Sequence, residues 1–462
     1  MLKTMNEAEF KSLLTNQRDF FNSGVSLDYK FRRNTLLQLR KLILSNESRI
    51  FDALYKDLGK PAFESYASEV GVILQELNLI LRNLRKWMRP KRVYTPVVHF
   101  IASSHYVYKP YGVVLIISPW NYPFQLLFNP LIGALAAGNC VIAKPSQHAS
   151  HTSELMIDLI NNNFKSEYLH LLPVGNVINQ ILLKEKYDYI FFTGSSETAK
   201  QVMKAAADNL TPLSLELGGK CPVIVHEDAN LKIAARRIMW GKHLNAGQSC
   251  VAPDYILVHA RIKKQLVTEM KLCLEKFFGA DPSKSADFCR IINLPNLERL
   301  NNYLKDSKIL SGGQNDPENL YFSPTLIDGI SPDHPALKEE IFGPILPIIE
   351  YKDLEEAIKF VSSRPSPLAI YIFSDSTETR NKILRKTQSG GVCINETVVH
   401  FINPYLPLGG VGLSGMGKYH GCFSFETFGY KRAVMNKSNL IDLPVRYPPY
   451  RNKTNILRYF IK

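Results

Sequence analysis

Continuous apolar runs recur through the middle of the chain and alternate with segments that read as helices. Val113–Ile117, Cys140–Ala143 and Tyr189–Phe192 are such runs. Parallel strands covered by helices on both faces need no polar side, so unbroken apolar runs predict them. The segments His151–Phe164 and Glu197–Asn209 read as the helices between and after them. A second series follows: Pro222–Val225, Tyr255–Val258, Leu346–Ile349, Leu368–Phe373 and Val392–Ile394, separated by helical Leu231–Leu244, Ile262–Phe278 and Leu354–Ser362. Strand-helix alternation predicts an α/β fold with right-handed crossovers. Two series predict two doubly wound, Rossmann-like domains. The first 88 residues read as mostly helical. Val93–Tyr108 alternates Val, Phe, Ile and Tyr without helix formers and predicts a β-hairpin.

Composition changes this picture little. The 462 residues are 45% hydrophobic and 21% charged, ordinary for a globular protein. The nearly apolar stretch Leu131–Ala143 holds Asn139 and two glycines and is shorter than the roughly 20 residues that span a bilayer. The opening residues show no signal-peptide pattern. Seven cysteines, an odd number without a CxxC, predict a reducing, cytoplasmic setting. His148 and His151 lie close together, but no further residues nearby complete a metal set, and none is expected.

Charge adds one question. The net charge is +14, and residues 429–462 supply half of it with eight Lys/Arg against one Asp. Arg82, Arg85, Lys86, Arg89, Lys91 and Arg92 form a second basic cluster. In the tail, Ile456, Leu457, Phe460 and Ile461 would share one helical face with Lys453 and Arg458 off it. That pattern predicts an amphipathic helix, docked on a partner subunit or in peripheral contact with a membrane. No nucleic-acid module accompanies the charge, so no nucleic-acid partner is expected.

The candidate chemistry lies in four short segments. Cys250 closes Asn245-Ala-Gly-Gln-Ser-Cys250. Glu216 lies in Leu215-Glu-Leu-Gly-Gly-Lys220, Asn121 in Ser118-Pro-Trp-Asn-Tyr-Pro-Phe124, and Phe191-Phe-Thr-Gly-Ser195 falls between them. A soft nucleophile, a carboxylate and a carboxamide donor are the parts needed to make and hydrolyse a thioester. A free thiol has a pKa of about 8.5 and is mostly protonated at neutral pH unless a cation or a helix N-terminus is near. Gly410-Val-Gly-Leu-Ser-Gly415 matches a dinucleotide fingerprint literally. It follows Pro-Leu rather than a buried strand, so it is read as a decoy.

Together with Glu339-Glu-Ile-Phe-Gly-Pro344 and Pro407-Leu-Gly-Gly-Val-Gly412, these segments resemble the aldehyde dehydrogenase superfamily, in order along nearly the whole chain. Ser414-Gly-Met-Gly-Lys-Tyr-His-Gly421 and Ser424-Phe-Glu-Thr-Phe428 resemble its class 3 branch. The resemblance implies NAD(P)-dependent oxidation of an aldehyde, medium- or long-chain, isoprenoid or aromatic. It implies Cys250 as nucleophile, Glu216 as the base that activates water, and Asn121 with the Cys250 N–H as oxyanion donors. NAD or NADP would meet Lys144, Ser146, Gln147, Gly194, Ser195, Leu217, Gly218, Glu340, Phe342 and Trp120. The family usually has glutamate where this chain has Gln147, and an amide would not repel a 2′-phosphate. Tyr122, Trp120 and His400 would line the substrate entrance. The role of Lys220 stays open, a structural ion pair being the simplest. The implied organisation is a cofactor domain of residues 1–92 and 109–217, a catalytic domain of 218–395, and an oligomerisation arm and tail of 93–108 with 396–462, in a homodimer. Two other functions compete: release of the thioester to coenzyme A, against which Glu216 argues, and a non-catalytic role on the same fold.

Overall fold

The structure, a computed structural model, describes residues 5–175, 181–442, 444–455 and 458. Two sheets organise it. The first has the strand order Gly415–Met416, Leu213–Glu216, Tyr189–Thr193, Val113–Ile117, Cys140–Lys144, Leu169–Leu171. All its pairings are parallel except that of the two-residue edge strand Gly415–Met416. The second runs Lys308–Ser311, Thr325–Asp328, Ile345–Tyr351, Tyr255–His259, Pro222–Val225, Ala369–Phe373, Gly391–Ile394. It too is parallel apart from its first pair. The unbroken apolar runs are thus central strands, and Val113–Ile116 are completely buried.

The apolar stretch from Leu131 splits in two. Helix Gln125–Ala137 is buried at every residue, and Gly138 ends it at φ 100°. A side chain on Gly138 would enter the space of the Arg32 guanidinium, which donates to the Ala136 carbonyl at 3.2 Å. Burial lowers Arg32 to about 10. No helix among the described residues is long and apolar enough to cross a membrane.

A third, three-stranded antiparallel sheet joins Lys91–Val93, Ala102–Pro110 and Gly429–Lys437. The expected hairpin therefore covers a longer span than 93–108, because the antiparallel ladder continues to Pro110 against Gly429. Of the expected tail helix, Ile456, Leu457, Phe460 and Ile461 lie outside the described residues.

What matters for function is how the two large sheets meet. Strand Leu213–Glu216 ends the run of parallel strands in the first sheet, and Pro222 starts a strand of the second. The carboxyl edge of the first sheet therefore faces the amino edge of the second across Leu217–Cys221. Ligands of open parallel sheets bind beyond the carboxyl ends of strands.

Candidate active site

On the first sheet, Ile117, Lys144 and Phe192 are in register, and Thr193 is in register with Glu216. The loops that follow these strands carry Trp120 and Asn121, Ser146 and Gln147, Gly194 and Ser195, and Leu217 and Gly218. Lys144 is half-buried and its pKa is lowered by burial. Ser146 is buried, Gln147 is exposed. The Gly194 N–H donates to the Glu216 carbonyl at 3.1 Å, and Ser195 caps helix Ser196–Ala207 by accepting the Thr198 N–H at 3.3 Å. Leu217 is buried, its N–H on the Ser414 carbonyl at 3.2 Å. The literal glycine fingerprint thus serves as an edge against the Glu216 strand, with Gly415 opposite Glu216.

Cys250 reaches the same place from the second sheet. Helix Leu231–His243 ends, and Asn245, Ala246 and Gly247 follow in the left-handed region at φ 53°, 52° and 75°. Side chains tie this strained turn down. Gln248 Nε2 donates to the carbonyls of Asn245 at 3.0 Å and Arg290 at 2.9 Å, while its Oε1 accepts the Ile292 N–H at 3.0 Å. Asn245 Nδ2 donates to the Asn121 carbonyl at 2.7 Å, and Asn121 Nδ2 donates to the Gln248 carbonyl at 3.1 Å. The two loops are thereby laced together. An amide nitrogen carries two hydrogens, so the Asn121 donor keeps one free.

The electrostatics are those of a waiting site. Cys250 is half-buried, and burial raises its thiol pKa strongly, with Glu340 and then Glu216 adding to the rise; its own backbone N–H opposes. The groups acting on the sulfur are carboxylates rather than a cation, so the thiol rests protonated. Glu216 is 4% exposed and pushed well above the carboxylate range by burial, with Lys418 pulling back. Gly409 (φ 149°) leaves room for it, since a Cβ there would stand 2.9 Å from Glu216 Oε1. Glu340 is raised to about 8, mainly by burial and then by Asp254. Gly218 is bare where its Cβ would overlap the Glu340 carboxylate. Phe342 follows at φ 47°, an unusual conformation for a bulky residue, with its ring edge-on to Trp120 at 5.3 Å. Lys220 forms an ion pair with Asp254 and donates to the Ala336 and Glu339 carbonyls at 2.8 Å each, a structural role.

The donor set suits a nicotinamide dinucleotide. Ser118 Oγ, Thr193 Oγ1, Glu216 Oε1 and Glu340 Oε1 are all buried without hydrogen-bond partners along the facing edges. Each such atom costs about 1–3 kcal/mol if left unpaired. Ribose hydroxyls and a carboxamide are the kind of groups that satisfy them, and the bare Gly218-Gly219 pair lets a ligand approach the backbone.

Two cavities open here, with no lining residue in common. One, of about 500 Å³, is walled largely by Phe63, Tyr122, Leu126, Trp240, Phe401 and Ile402, and Cys250 lines it. The other, of about 570 Å³, is lined by Ser196, Gly218, Gly219, Lys220 and Glu340 among others. The expected entrance residues divide. Tyr122 lines the apolar cavity, but Trp120 turns to Phe342 instead. His400 packs against Tyr371 and Phe401 and is lowered to about 4 by burial, while its neighbours Val399 and Phe401 do the lining. Glu64, in the same wall, and its neighbours Lys60 and Glu69 are charged residues that no motif singled out. Among the described residues there is no cluster of metal-ligating side chains.

The model of the aldehyde dehydrogenase family matches residues 2–434. The chain is 44% identical to the 4,4'-diaponeurosporen-aldehyde dehydrogenase of Staphylococcus aureus, covering 97% of this chain and 98% of that protein. It is 43% identical to the dimeric NADP-preferring aldehyde dehydrogenase of Rattus norvegicus, covering 94% and 96%. The solved substrate-bound state of Staphylococcus aureus AldH superposes with a TM-score of 0.97 at 43% identity, covering 99% of this chain and 100% of that one.

Proposed function

This chain belongs to the aldehyde dehydrogenase family, within its class 3 branch, and oxidises aldehydes with NAD or NADP; from that premise we propose that it converts a medium- or long-chain, isoprenoid or aromatic aldehyde to the acid through a thioester on Cys250. The observation that carries this reading is the placement of Cys250 in the wall of a largely apolar cavity of about 500 Å³. A cavity of that size and lining favours a ligand with an extended apolar body and one polar end.

Bound NAD or NADP supplies the hydride acceptor. The residues do the rest. Lys144, Ser146, Gln147, Gly194 and Ser195 hold its adenosine side, and Trp120, Leu217, Gly218, Glu340 and Phe342 its nicotinamide side. The Cys250 thiol gives its proton up to water as its sulfur bonds to the aldehyde carbon. The free Nδ2 hydrogen of Asn121 and the Cys250 N–H donate to the oxygen that becomes negative, each such donor being worth about 3–4 kcal/mol. Once the carbon has given up its hydride it is a thioester. Glu216 then takes a proton from water as the water attacks, the C–S bond breaks, and the acid leaves.

Residues 1–92 and 109–217, with the edge strand Gly415–Met416 returned to their sheet, act as the cofactor domain and 218–395 as the catalytic domain, while the strands of 91–110 and Gly429–Lys437 form the arm of a homodimer in the cytoplasm. The basic tail would add contact with an anionic membrane, which liposome co-sedimentation of full-length protein against residues 1–450 tests. The function itself is tested by reduced-nicotinamide formation over a chain-length series of aldehydes, with NAD and NADP separately and Cys250→Ala as control. Turnover should rise with chain length and vanish in the variant; no turnover with any aldehyde would overturn the reading.

A further inference from the structure

Three charged residues lie within ten positions of one another and are almost completely enclosed: Lys60 at 1% exposure, Glu64 at 6% and Glu69 at 0%. Lys60 Nζ meets Glu69 Oε1 at 2.6 Å and stands 4.2 Å over the Tyr122 ring. Burial raises both carboxyl pKa values, and Lys60 opposes this. Replacing a buried ion pair by apolar groups of similar volume is often neutral or stabilising, so stability alone gives no reason for such a cluster.

Its contacts give one. Lys60 Nζ also reaches the Asn121 carbonyl at 3.4 Å, the oxygen that accepts from Asn245 Nδ2. Glu69 Oε2 accepts the Gln125 N–H at 2.8 Å, at the far end of the same loop. Glu64 Oε1 accepts the N–H of Asn245, the first left-handed residue before Cys250, and Cys289 Sγ lies 3.5 Å from its Oε2. One short segment therefore grips the Asn121 loop, from the first sheet, and the Cys250 loop, from the second. Glu69 itself sits in a π-helical turn, Tyr66–Val70, just past Glu64. Such turns are rare and concentrate at functional sites, because the wider turn re-aims the side chains on either side.

We propose that Lys60, Glu64 and Glu69 are positioning residues that hold the Asn121 amide and the Cys250 sulfur in register on one carbonyl group. The proposal rests on the thioester reading above. The cluster acts through the Asn121 amide and the Cys250 sulfur, the two groups that meet the carbonyl as the thioester forms, so its effect is read in the burst that reports thioester formation. A misplacement of about 1 Å in a reacting pair costs on the order of a hundredfold in rate.

The test compares Glu64→Leu, Glu64→Gln and the double variant Lys60→Met/Glu69→Leu, with Cys250→Ala alongside. The readouts are the single-turnover burst of reduced nicotinamide, the aldehyde KM, and cofactor affinity by fluorescence. In Glu64→Leu the burst at saturating aldehyde should slow about a hundredfold, with cofactor affinity little changed. Glu64→Gln should recover most of that rate, since its amide oxygen still accepts the Asn245 N–H. The double variant removes both charges of the pair together, so it should fold and show a slowed burst. If Glu64→Leu fails to fold, the double variant decides on the same criterion. Wild-type bursts in variants that bind cofactor normally would overturn the proposal, as would Glu64→Gln being no faster than Glu64→Leu. Turnover that survives Cys250→Ala would instead sink the thioester reading itself.

Discussion

On the proposed assignment of Glu340 to the nicotinamide ribose, cofactor binding becomes a titration. Its carboxyl is raised to about 8 by burial and by Asp254, against the Gly219 N–H, Lys220 and Arg299. Its Oε1 has no protein partner. The ionised carboxylate accepts from ribose hydroxyls far more strongly than the protonated acid, so the cofactor selects the ionised form. A carboxyl with a raised pKa carries its proton below that value, so the binding-competent fraction falls as pH falls through 8. The apparent Kd for NAD or NADP should be about elevenfold weaker at pH 7, and about a hundredfold weaker at pH 6, than on the plateau above pH 9. The assay is equilibrium titration of protein fluorescence with oxidised cofactor, without aldehyde, from pH 6 to 9.5. Glu340→Gln keeps a neutral acceptor of the same shape, so its Kd should be weaker than the plateau but flat over that range. A wild-type Kd that varies less than about twofold, or a slope that persists in Glu340→Gln, would refute the assignment and return Glu340 to a purely structural role.

Other outcomes follow from neighbouring residues. Glu216→Gln should retain the burst and lose about 10²–10⁴-fold in steady-state turnover, the usual contribution of a general base; a lost burst would show that Glu216 acts before the thioester forms. Gln147→Glu should lower the NADP-over-NAD preference about tenfold, an effect of ~1.4 kcal/mol, measured as the ratio of kcat/KM values; an unchanged or increased preference contradicts the exposed amide as a 2′-phosphate neighbour. Glu76 is 2% exposed and raised by burial from 4.5 to about 7, with the Gly421 N–H opposing. Its native pKa lies above its unfolded one, so the stability it contributes is whole below pH 4.5 and is lost as pH rises through 7, by about 3 kcal/mol. Glu76→Gln should therefore melt about 3 °C above the wild type at pH 8 and lose that advantage near pH 4.5; a difference in Tm independent of pH would contradict this.

The sequence displayed the parts whose signal is local. Runs such as Val113–Ile116 and Ala369–Phe373 are buried on both faces and so announce themselves as strands. Cys250, Glu216 and Asn121 stood out because each sits in a distinctive short segment, and the fold brings those segments to facing edges. Strand Leu213–Glu216 was less visible, since Ser214 and Glu216 break its apolar pattern although both are buried. Its register depends on Thr193 and Gly415, far away in the chain. His400 illustrates the opposite error, where a polar residue next to the cavity turns its ring to Tyr371 and Phe401 instead of lining it. Lys60, Glu64 and Glu69 carried no signal at all. In a helical segment, lysine and glutamate at such spacings look like a solvated face, and only the tertiary fold reveals that they are enclosed.

The two cavities that share no lining residue have a consequence for traffic. On the proposed reading the aldehyde enters by the apolar cavity that Cys250 lines and the dinucleotide by the cavity that Gly218 and Glu340 line, so neither has to wait for the other to leave. An acid product can depart on one side while the spent coenzyme is still seated on the other. The order of release is then set by how tightly each door holds its occupant. It follows that the walls of one door can be rebuilt for a new aldehyde without disturbing how the enzyme trades its coenzyme at the other.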